Sequence, residues 1–194
     1  MALWGVSTTD ESKPKWLTAE QKKTVFATDR GWVQLNGKGL EEVICAIGEL
    51  AGVDASTGIG AATITATDFV TTAYGDTAGG VIDVRVIFNE RVTVDTSGGT
   101  PTIVITNDQA GGGTSATLSA AYQSGSSTNR LTFRVADPGA SSGNVAEDDV
   151  LSIGAQNIAL NSGTIVDQAD GTTAAGVAIS AAAGAAAGTL TADA

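Results

Sequence analysis

Apolar and polar residues alternate along most of the chain beyond residue 61. In "GVIDVRVIFNERVTVD" every second residue from Ile82 to Phe88 is apolar, which gives a strand with one apolar face. Seven further short stretches follow a similar pattern: "ATITATDFVTTAY", "PTIVIT", "ATLSAAYQ", "NRLTFRVA", "DVLSIGAQNIALN", "GTIVDQ" and "GVAIS". Gly-, Ser- and Asp-rich turns such as "TSGGT" and "QSGSSTN" separate them and leave no room for helices. This spacing predicts an all-β protein built on a β-sandwich.

The segment after residue 17 carries the signals of a short helix. Thr18 is a good N-cap residue, and Gln21 three positions later completes a capping-box pattern. The helix is predicted to end early, because Thr24, Val25 and Phe26 favour strands and the turn-prone "TDRG" follows.

A β-hairpin is predicted next, in "GWVQLNGKGLEEVICAIGEL". The Asn36-Gly37 pair between two apolar stretches is a strong hairpin signal, with strands over residues 31–35 and 40–47. A helix over residues 39–50 is the alternative, since the apolar residues there also fit a period of 3.6.

The pattern divides the chain into three parts. Residues 1–55 form an N-terminal arm followed by a β-hairpin subdomain, and the linker-like "AGVDASTGIGAA" ends this part. Residues 56–182 form the sandwich, whose strand count fits an immunoglobulin-like domain. Residues 183–194 are an Ala/Gly-rich tail that we expect to be a loose surface strand or disordered.

Charge is distributed unevenly between these parts. The chain has 10 basic and 21 acidic residues, a net charge of −11, and all its lysines lie at or before Lys38. Residues 61–194 contain four arginines and thirteen acids, a balance of −9. A surface this acidic repels phosphate backbones and anionic lipids, so we expect neither nucleic acid nor a membrane as a partner.

The composition resembles that of exposed all-β proteins, yet export signals are missing from the sequence. The opening "MALWGVSTTDESK" has no basic segment followed by an apolar one, as a signal peptide would. No stretch approaches the length of apolar sequence that a membrane helix needs. The sequence therefore predicts an exterior protein that is not secreted through a signal peptide.

We find no catalytic constellation in the sequence. There is no histidine, which removes Ser–His and Cys–His pairs, and the single Cys45 rules out an internal disulfide and is expected to be a buried hydrophobe. The Gly-rich "QAGGGTS" lacks the lysine of a phosphate-binding loop, and few aromatic residues are available to wall a glycosidase cleft. We expect a non-enzymatic protein without a cofactor.

One acidic cluster is a candidate calcium site. "NVAEDDV" supplies Glu147, Asp148 and Asp149, and Asp137 is the natural fourth oxygen ligand. The spacing does not match an EF-hand loop, and three adjacent acids are more often a solvated loop.

The second part of the chain resembles the bacterial immunoglobulin-like repeat of large surface and swimming-related adhesins. Those repeats share a strand pair of the form V-x-F-x-E-x-V-x-V, a G-T-P strand, a Y-x-S-G-S-x-T-N-x-L-T-F hairpin and an I-x-L-N-x-G-T-I-x-D close. The matching positions here are Val86, Phe88, Glu90, Val92, Val94, Gly99, Thr100, Pro101, Tyr122, Ser124, Gly125, Thr128, Asn129, Leu131, Thr132, Phe133, Ile158, Leu160, Asn161, Gly163, Thr164, Ile165 and Asp167. The resemblance implies a fold and leaves the function open, because such domains are spacers and binding platforms in many contexts.

The first part resembles small virion structural proteins of large tailed phages of marine bacteria and cyanobacteria. The matching positions are Trp4, Gly5, Lys13, Pro14, Lys15, Trp16, Leu17, Phe26, Ala27, Thr28, Gly31 and Trp32. This resemblance implies a virion component, assembled in the host cytoplasm and released by lysis, which fits an exterior protein without a signal peptide.

The two resemblances together imply a capsid decoration protein on the virion exterior. Its N-terminal part would dock on the major capsid protein or another virion protein, or on further copies of itself, and its immunoglobulin-like domain would project. The docking residues are expected to be Trp4, Lys13, Pro14, Lys15, Trp16 and Trp32. For the tryptophans the alternative is a place in the core of their own domain. The alternative functions are a tail, neck or baseplate component and an adhesive module that binds host-surface glycans.

Overall fold

The computed structural model describes residues 16–28, 31–46, 61–77, 79–136, 143–168 and 171–194, and these residues are arranged mainly in strands. The elements are α1 (Ala19–Thr24), β1 (Val25–Thr28), β2 (Gly31–Leu35), β3 (Glu41–Ala46), β4 (Ile64–Phe69), β5 (Tyr74–Gly75), β6 (Val81–Asp95), β7 (Thr102–Asn107), β8 (Thr117–Ser124), β9 (Thr128–Ala136), β10 (Val150–Ser152), β11 (Gln156–Asn157), β12 (Thr164–Asp167), β13 (Ala178–Ile179), α2 (Ala181–Ala185) and β14 (Thr189–Asp193). The predicted all-β, sandwich-like fold is confirmed.

Helix α1 begins at the predicted capping box. The hydroxyl oxygen of Thr18 accepts a hydrogen bond from the backbone N–H of Gln21 at 3.2 Å, and the Gln21 side chain accepts one from the N–H of Thr18 at 3.0 Å. The helix ends after six residues, where Val25 adopts an extended backbone and starts β1. The local signals therefore set both the start and the end of this helix.

Strands β1, β2 and β3 form a small antiparallel sheet in that order. At the turn between β2 and β3, the Asn36 side chain accepts hydrogen bonds from the N–H groups of Lys38 and Leu40 at 2.9 and 3.0 Å. The predicted hairpin is confirmed. The alternative helix is wrong for Glu41–Ala46, because these residues pair with β2.

The long strand β6 organises the larger sheet. One of its edges pairs with β9, while the other edge pairs with β4 in its first half and with β12 in its second half. From β9 the sheet continues through β8, β7, β10 and β14 to β5. The alternation predicted for β6 is confirmed, because every second residue from Ile82 to Phe88 is fully buried in the main core.

The apolar faces of these strands enclose one core. Phe88, Leu131, Phe133 and Ile103 are among its fully buried side chains. Tyr122 packs edge-on against Phe133 with ring centroids 6.0 Å apart, and the Tyr122 hydroxyl accepts a hydrogen bond from the N–H of Ser126. Burial of these side chains stabilises the sandwich.

The expectation of a loose tail over residues 183–194 is wrong. Strand β14 pairs antiparallel with β10 and parallel with β5, and it buries Leu190 and Ala192 in the main core. The carbonyl of Ala183 in α2 accepts a hydrogen bond of 2.8 Å from the buried hydroxyl of Thr67. The sandwich therefore continues through Asp193.

Residues 1–15 of the arm and residues 47–60, which include the end of the predicted second strand, the end of the alternative helix and most of the linker, lie outside the described residues. In the described part of the chain, neither helix has the length and apolar character needed to span a membrane.

Candidate functional site

The candidate docking residues are described from Trp16 onward. Trp4, Lys13, Pro14 and Lys15 lie outside the described residues. The candidate docking surface that the structure describes therefore consists of Trp16 and the small sheet that follows it.

Trp16 and Leu17 are neighbours with opposite environments. Trp16 is 65% exposed, whereas Leu17 is 5% exposed and belongs to a small apolar cluster with Val25, Ala27 and Trp32. Burial of Leu17 fixes the chain at this point and leaves the Trp16 ring on the outside. Trp16 is therefore held next to the small sheet by the burial of its neighbour.

Trp32 is placed differently from Trp16. It is 2% exposed, lies opposite Ala27 in the β1–β2 pairing and fills the small cluster. This is the alternative that the sequence left open for it, a place in the core of its own domain. Its ring offers no surface to a partner, so it holds the small sheet together.

Exposed large apolar side chains are concentrated in the N-terminal part. Among the described residues six are exposed, and three of these, Trp16, Leu40 and Val43, lie within the first 46 positions. The much longer sandwich contributes Val70, Val81 and Val104, none of them aromatic. Apolar exposure on a short segment is typical of a contact surface.

The small sheet is fastened to the sandwich through Arg91 on β6. The Arg91 guanidinium lies over the Phe26 ring, 5.6 Å from its centroid, and forms an ion pair with Glu41 on β3. Phe26 itself is 2% exposed. One arginine of the sandwich therefore contacts both outer strands of the small sheet.

The lysine side chains of α1 also make contacts within the chain. The ammonium of Lys23 lies 3.5 Å from a Glu20 carboxylate oxygen and donates to the carbonyl of Ala186 at 3.4 Å. The latter bond joins the first helix to the segment after α2. Lys23 thus contributes to positioning the N-terminal part on the sandwich.

Asp149, a calcium candidate, is buried and accepts hydrogen bonds from several N–H groups. Its Oδ1 accepts from the backbone N–H of Gly111 at 2.8 Å and of Gly113 at 3.4 Å. Its Oδ2 accepts from the side chain of Asn107 at 2.7 Å and from the N–H of Ala146 at 3.0 Å. Burial alone would raise the pKa of Asp149, but these hydrogen bonds outweigh it and leave the pKa below its ordinary value.

The Gly-rich "QAGGGTS" wraps around this carboxylate. A Cβ on Gly111 would collide with the carbonyl oxygen of Glu147, and a Cβ on Gly113 would collide with Oδ2 of Asp149. The glycines therefore permit a close backbone approach. The N–H groups of this loop that face inward hold an internal carboxylate, in place of the phosphate that a Gly-rich loop can bind.

Asp149 does not fit the role of a calcium ligand, because both of its oxygens accept hydrogen bonds from N–H groups. Glu147 and Asp148 are exposed on the same loop, and Asp137 lies outside the described residues. Within the part of the chain that the structure describes, no three His, Cys, Asp or Glu side chains are grouped as a metal site requires.

A group of four arginines on two neighbouring strands is the feature that could not be found from the sequence. All four arginines beyond residue 61 lie on two paired strands, Arg85 and Arg91 on β6 and Arg130 and Arg134 on β9. The available signal was their confinement to two of the predicted strands, "GVIDVRVIFNERVTVD" and "NRLTFRVA". Pairing of these strands could not be read from the pattern alone.

Comparisons of this chain with protein-family models, with curated proteins and with solved structures find no match.

Proposed function

We propose that this chain is a non-enzymatic structural protein of a tailed-phage particle. It decorates the head by docking on the major capsid lattice through its N-terminal part, and its sandwich, with an immunoglobulin-like topology, projects outward. The two resemblances of the sequence and the exposed apolar residues of the N-terminal part support this role.

The observation that carries the proposal is the exposure of Trp16 next to buried Leu17. An exposed tryptophan is costly in a solvated protein and common at the centre of protein interfaces, since its ring buries a large area on contact. Because Leu17 is anchored, the ring is held on the surface rather than carried on a loose chain end. A ring on an anchored backbone loses less conformational entropy on docking than one on a free segment.

The contrast between the two parts also supports the proposal. The N-terminal part exposes Trp16, Leu40 and Val43, while residues 61–194, which include the sandwich, carry a net charge of −9. Copies arranged on a particle would then present acidic faces to one another and to neighbouring particles, which favours solubility. The lysines of the first part would pair with acidic groups of the lattice.

The test uses purified phage particles from the host of this gene. Gold-labelled antibody against the chain should decorate heads, and the quantity in the particles should approach that of the major capsid protein. Label confined to tails or necks would identify a tail, neck or baseplate component instead. Binding of the chain to host-surface glycans without incorporation into particles would favour the adhesive module.

A matched pair of variants locates the docking surface. Trp16→Ala removes the exposed ring of the N-terminal part, whereas Val104→Ala removes an exposed side chain of the sandwich. In a sedimentation assay with particles lacking the protein, Trp16→Ala should lose attachment and Val104→Ala should retain it. Equal attachment of both variants would show that docking does not use Trp16.

A further inference from the structure

The outer face of the sandwich carries three cross-strand rows of side chains on β6 and β9. Asp83 lies opposite Arg134, Arg85 opposite Thr132, and Ile87 opposite Arg130. On the other edge of β6, Asp68 of β4 lies opposite Arg85. Alternation places all of these side chains on the face away from the main core.

The first row is fully paired. The Nε and one terminal nitrogen of Arg134 each donate to a different oxygen of Asp83 at 2.7 Å. This two-point geometry satisfies both groups and is the strongest form of an arginine–carboxylate contact.

The next two rows are not paired in this way. The Nε of Arg85 lies 3.8 Å from the nearest Asp68 oxygen, which is too long for a hydrogen bond. In the described part of the chain, the Nε atoms of Arg85 and Arg130 are both buried and neither has a hydrogen-bond partner. A buried donor without an acceptor is unfavourable, so two such donors on adjacent rows require an explanation.

The charges around these two arginines are also unbalanced. Arg85 and Arg130 are diagonal neighbours across β6 and β9, within reach of one another for side chains of this length. Burial lowers the pKa of Arg130, the positive charge of Arg85 lowers it further, and Asp68 opposes both effects. Two cations with one carboxylate thus form a local positive site on a domain of strongly negative charge.

We infer that Arg85 and Arg130 form a binding site for the carboxylate of an acidic side chain on a partner protein. A guanidinium presents its donors in a planar fork that matches a carboxylate. The Arg85 side chain is one-third exposed, so its end is open to a ligand although its Nε is enclosed. This inference does not depend on the proposed function, because it concerns the sandwich and not the N-terminal part.

An acidic side chain fits the face better than an acidic sugar. Sugar sites use aromatic rings on which the pyranose stacks, and the exposed large apolar residues of the described sandwich are all valines. An oxyanion of a sulfated sugar shares the same charge, so the experiment includes it as a separate arm.

The test measures binding of the full-length chain to a fluorescent peptide of glutamates at constant ionic strength. Because the chain carries a net charge of −11, we expect no general attraction for this acidic peptide. Binding of the peptide would therefore indicate a local site. Arg130→Gln and Arg85→Gln should each weaken binding by at least about tenfold. Arg134→Gln, on the same face, should leave it unchanged within about twofold.

Side-chain NMR of the arginine Nε–H groups adds a second readout. The Nε–H signals of Arg85 and Arg130 should move as the peptide is added, while that of Arg134 should stay in place. Arg130→Lys keeps the charge and loses the fork, so it should bind with reduced affinity even if Arg130→Gln does not fold. No binding by the wild-type chain, or equal loss in Arg134→Gln, overturns the inference. Binding of a sulfated oligosaccharide without binding of the peptide overturns the assignment to a protein carboxylate.

Discussion

The guanidinium of Arg91 lies over the ring of Phe26, so that a residue of the long sandwich strand β6 covers an aromatic side chain of β1. The same guanidinium pairs with Glu41 at the start of β3. The small sheet therefore has a defined place on the sandwich. A partner bound to this sheet would therefore also set the orientation of the sandwich.

The Arg91–Phe26 contact should appear as a coupling free energy. In a double-mutant cycle with Arg91→Met and Phe26→Leu, measured by urea unfolding, we expect coupling of about 0.5–1 kcal/mol, because the cation–π contact is lost in either single variant. The control cycle combines Phe26→Leu with Arg134→Met, whose native partner is Asp83 on the sandwich. Additive effects in both cycles would show that the contact contributes nothing.

Substitutions of Trp16 and Leu17 should have different effects on the stability of the fold. Trp16→Ala should change the free energy of unfolding by no more than about 0.5 kcal/mol, because the ring is mostly exposed. Leu17→Ala should lower it by about 2 kcal/mol, since it opens a cavity in the small cluster. Urea unfolding followed by tryptophan fluorescence measures both. A large loss of stability in Trp16→Ala would place the ring in a core and contradict the docking role.

Elements set by local chemistry could be predicted from the sequence. The capping box of Thr18, the Asn36-Gly37 turn and the alternation of β6 each act within a few residues, so the pattern contains the information. Elements that depend on distant partners could not be predicted in this way. Strand β14 has only Leu190 as a large apolar residue, and its place comes from pairing with β10 and β5.

The same distinction applies to the candidate site. The exposure of Trp16 and the burial of Trp32 depend on which face of a small sheet each residue occupies. In the sequence, Asp149 belongs to an acidic loop. In the fold, the "QAGGGTS" segment lies against it, and the buried carboxylate accepts hydrogen bonds from the backbone N–H groups of this segment. The sequence shows which residue types are present and how they are spaced, whereas their contacts depend on the fold.

Strand β14 should be essential for the sandwich. Leu190→Ala removes a side chain of the main core and should lower the free energy of unfolding by about 2–4 kcal/mol. Thr191→Ala changes the adjacent, exposed residue of the same strand and should cost less than about 0.5 kcal/mol. Thermal unfolding of the two variants checks the difference. Equal stability of the two variants would show that Leu190 does not contribute to the core and that residues 183–194 form a loose tail.

Asp149 should stabilise the fold through its ionised form. In Asp149→Asn the side-chain NH₂ would face N–H donors in either orientation, because both native oxygens accept. We expect a loss of about 3 kcal/mol or more, the cost of leaving buried donors without acceptors. Asp148→Asn is the matched control, since Asp148 is exposed and its φ of 68° suits asparagine equally well.

The contribution of Asp149 should also depend on pH in a defined direction. Its pKa in the folded state lies below the ordinary value of 3.8, so the unfolded chain takes up the proton first as the pH falls. The stabilisation is therefore complete above pH 3.8 and is lost as the pH drops from there through the folded-state pKa. Urea unfolding of wild type and Asp149→Asn across this range should show the stability difference shrinking towards acid. A difference that stays constant with pH would mean that Asp149 has the same pKa in the folded and unfolded chain.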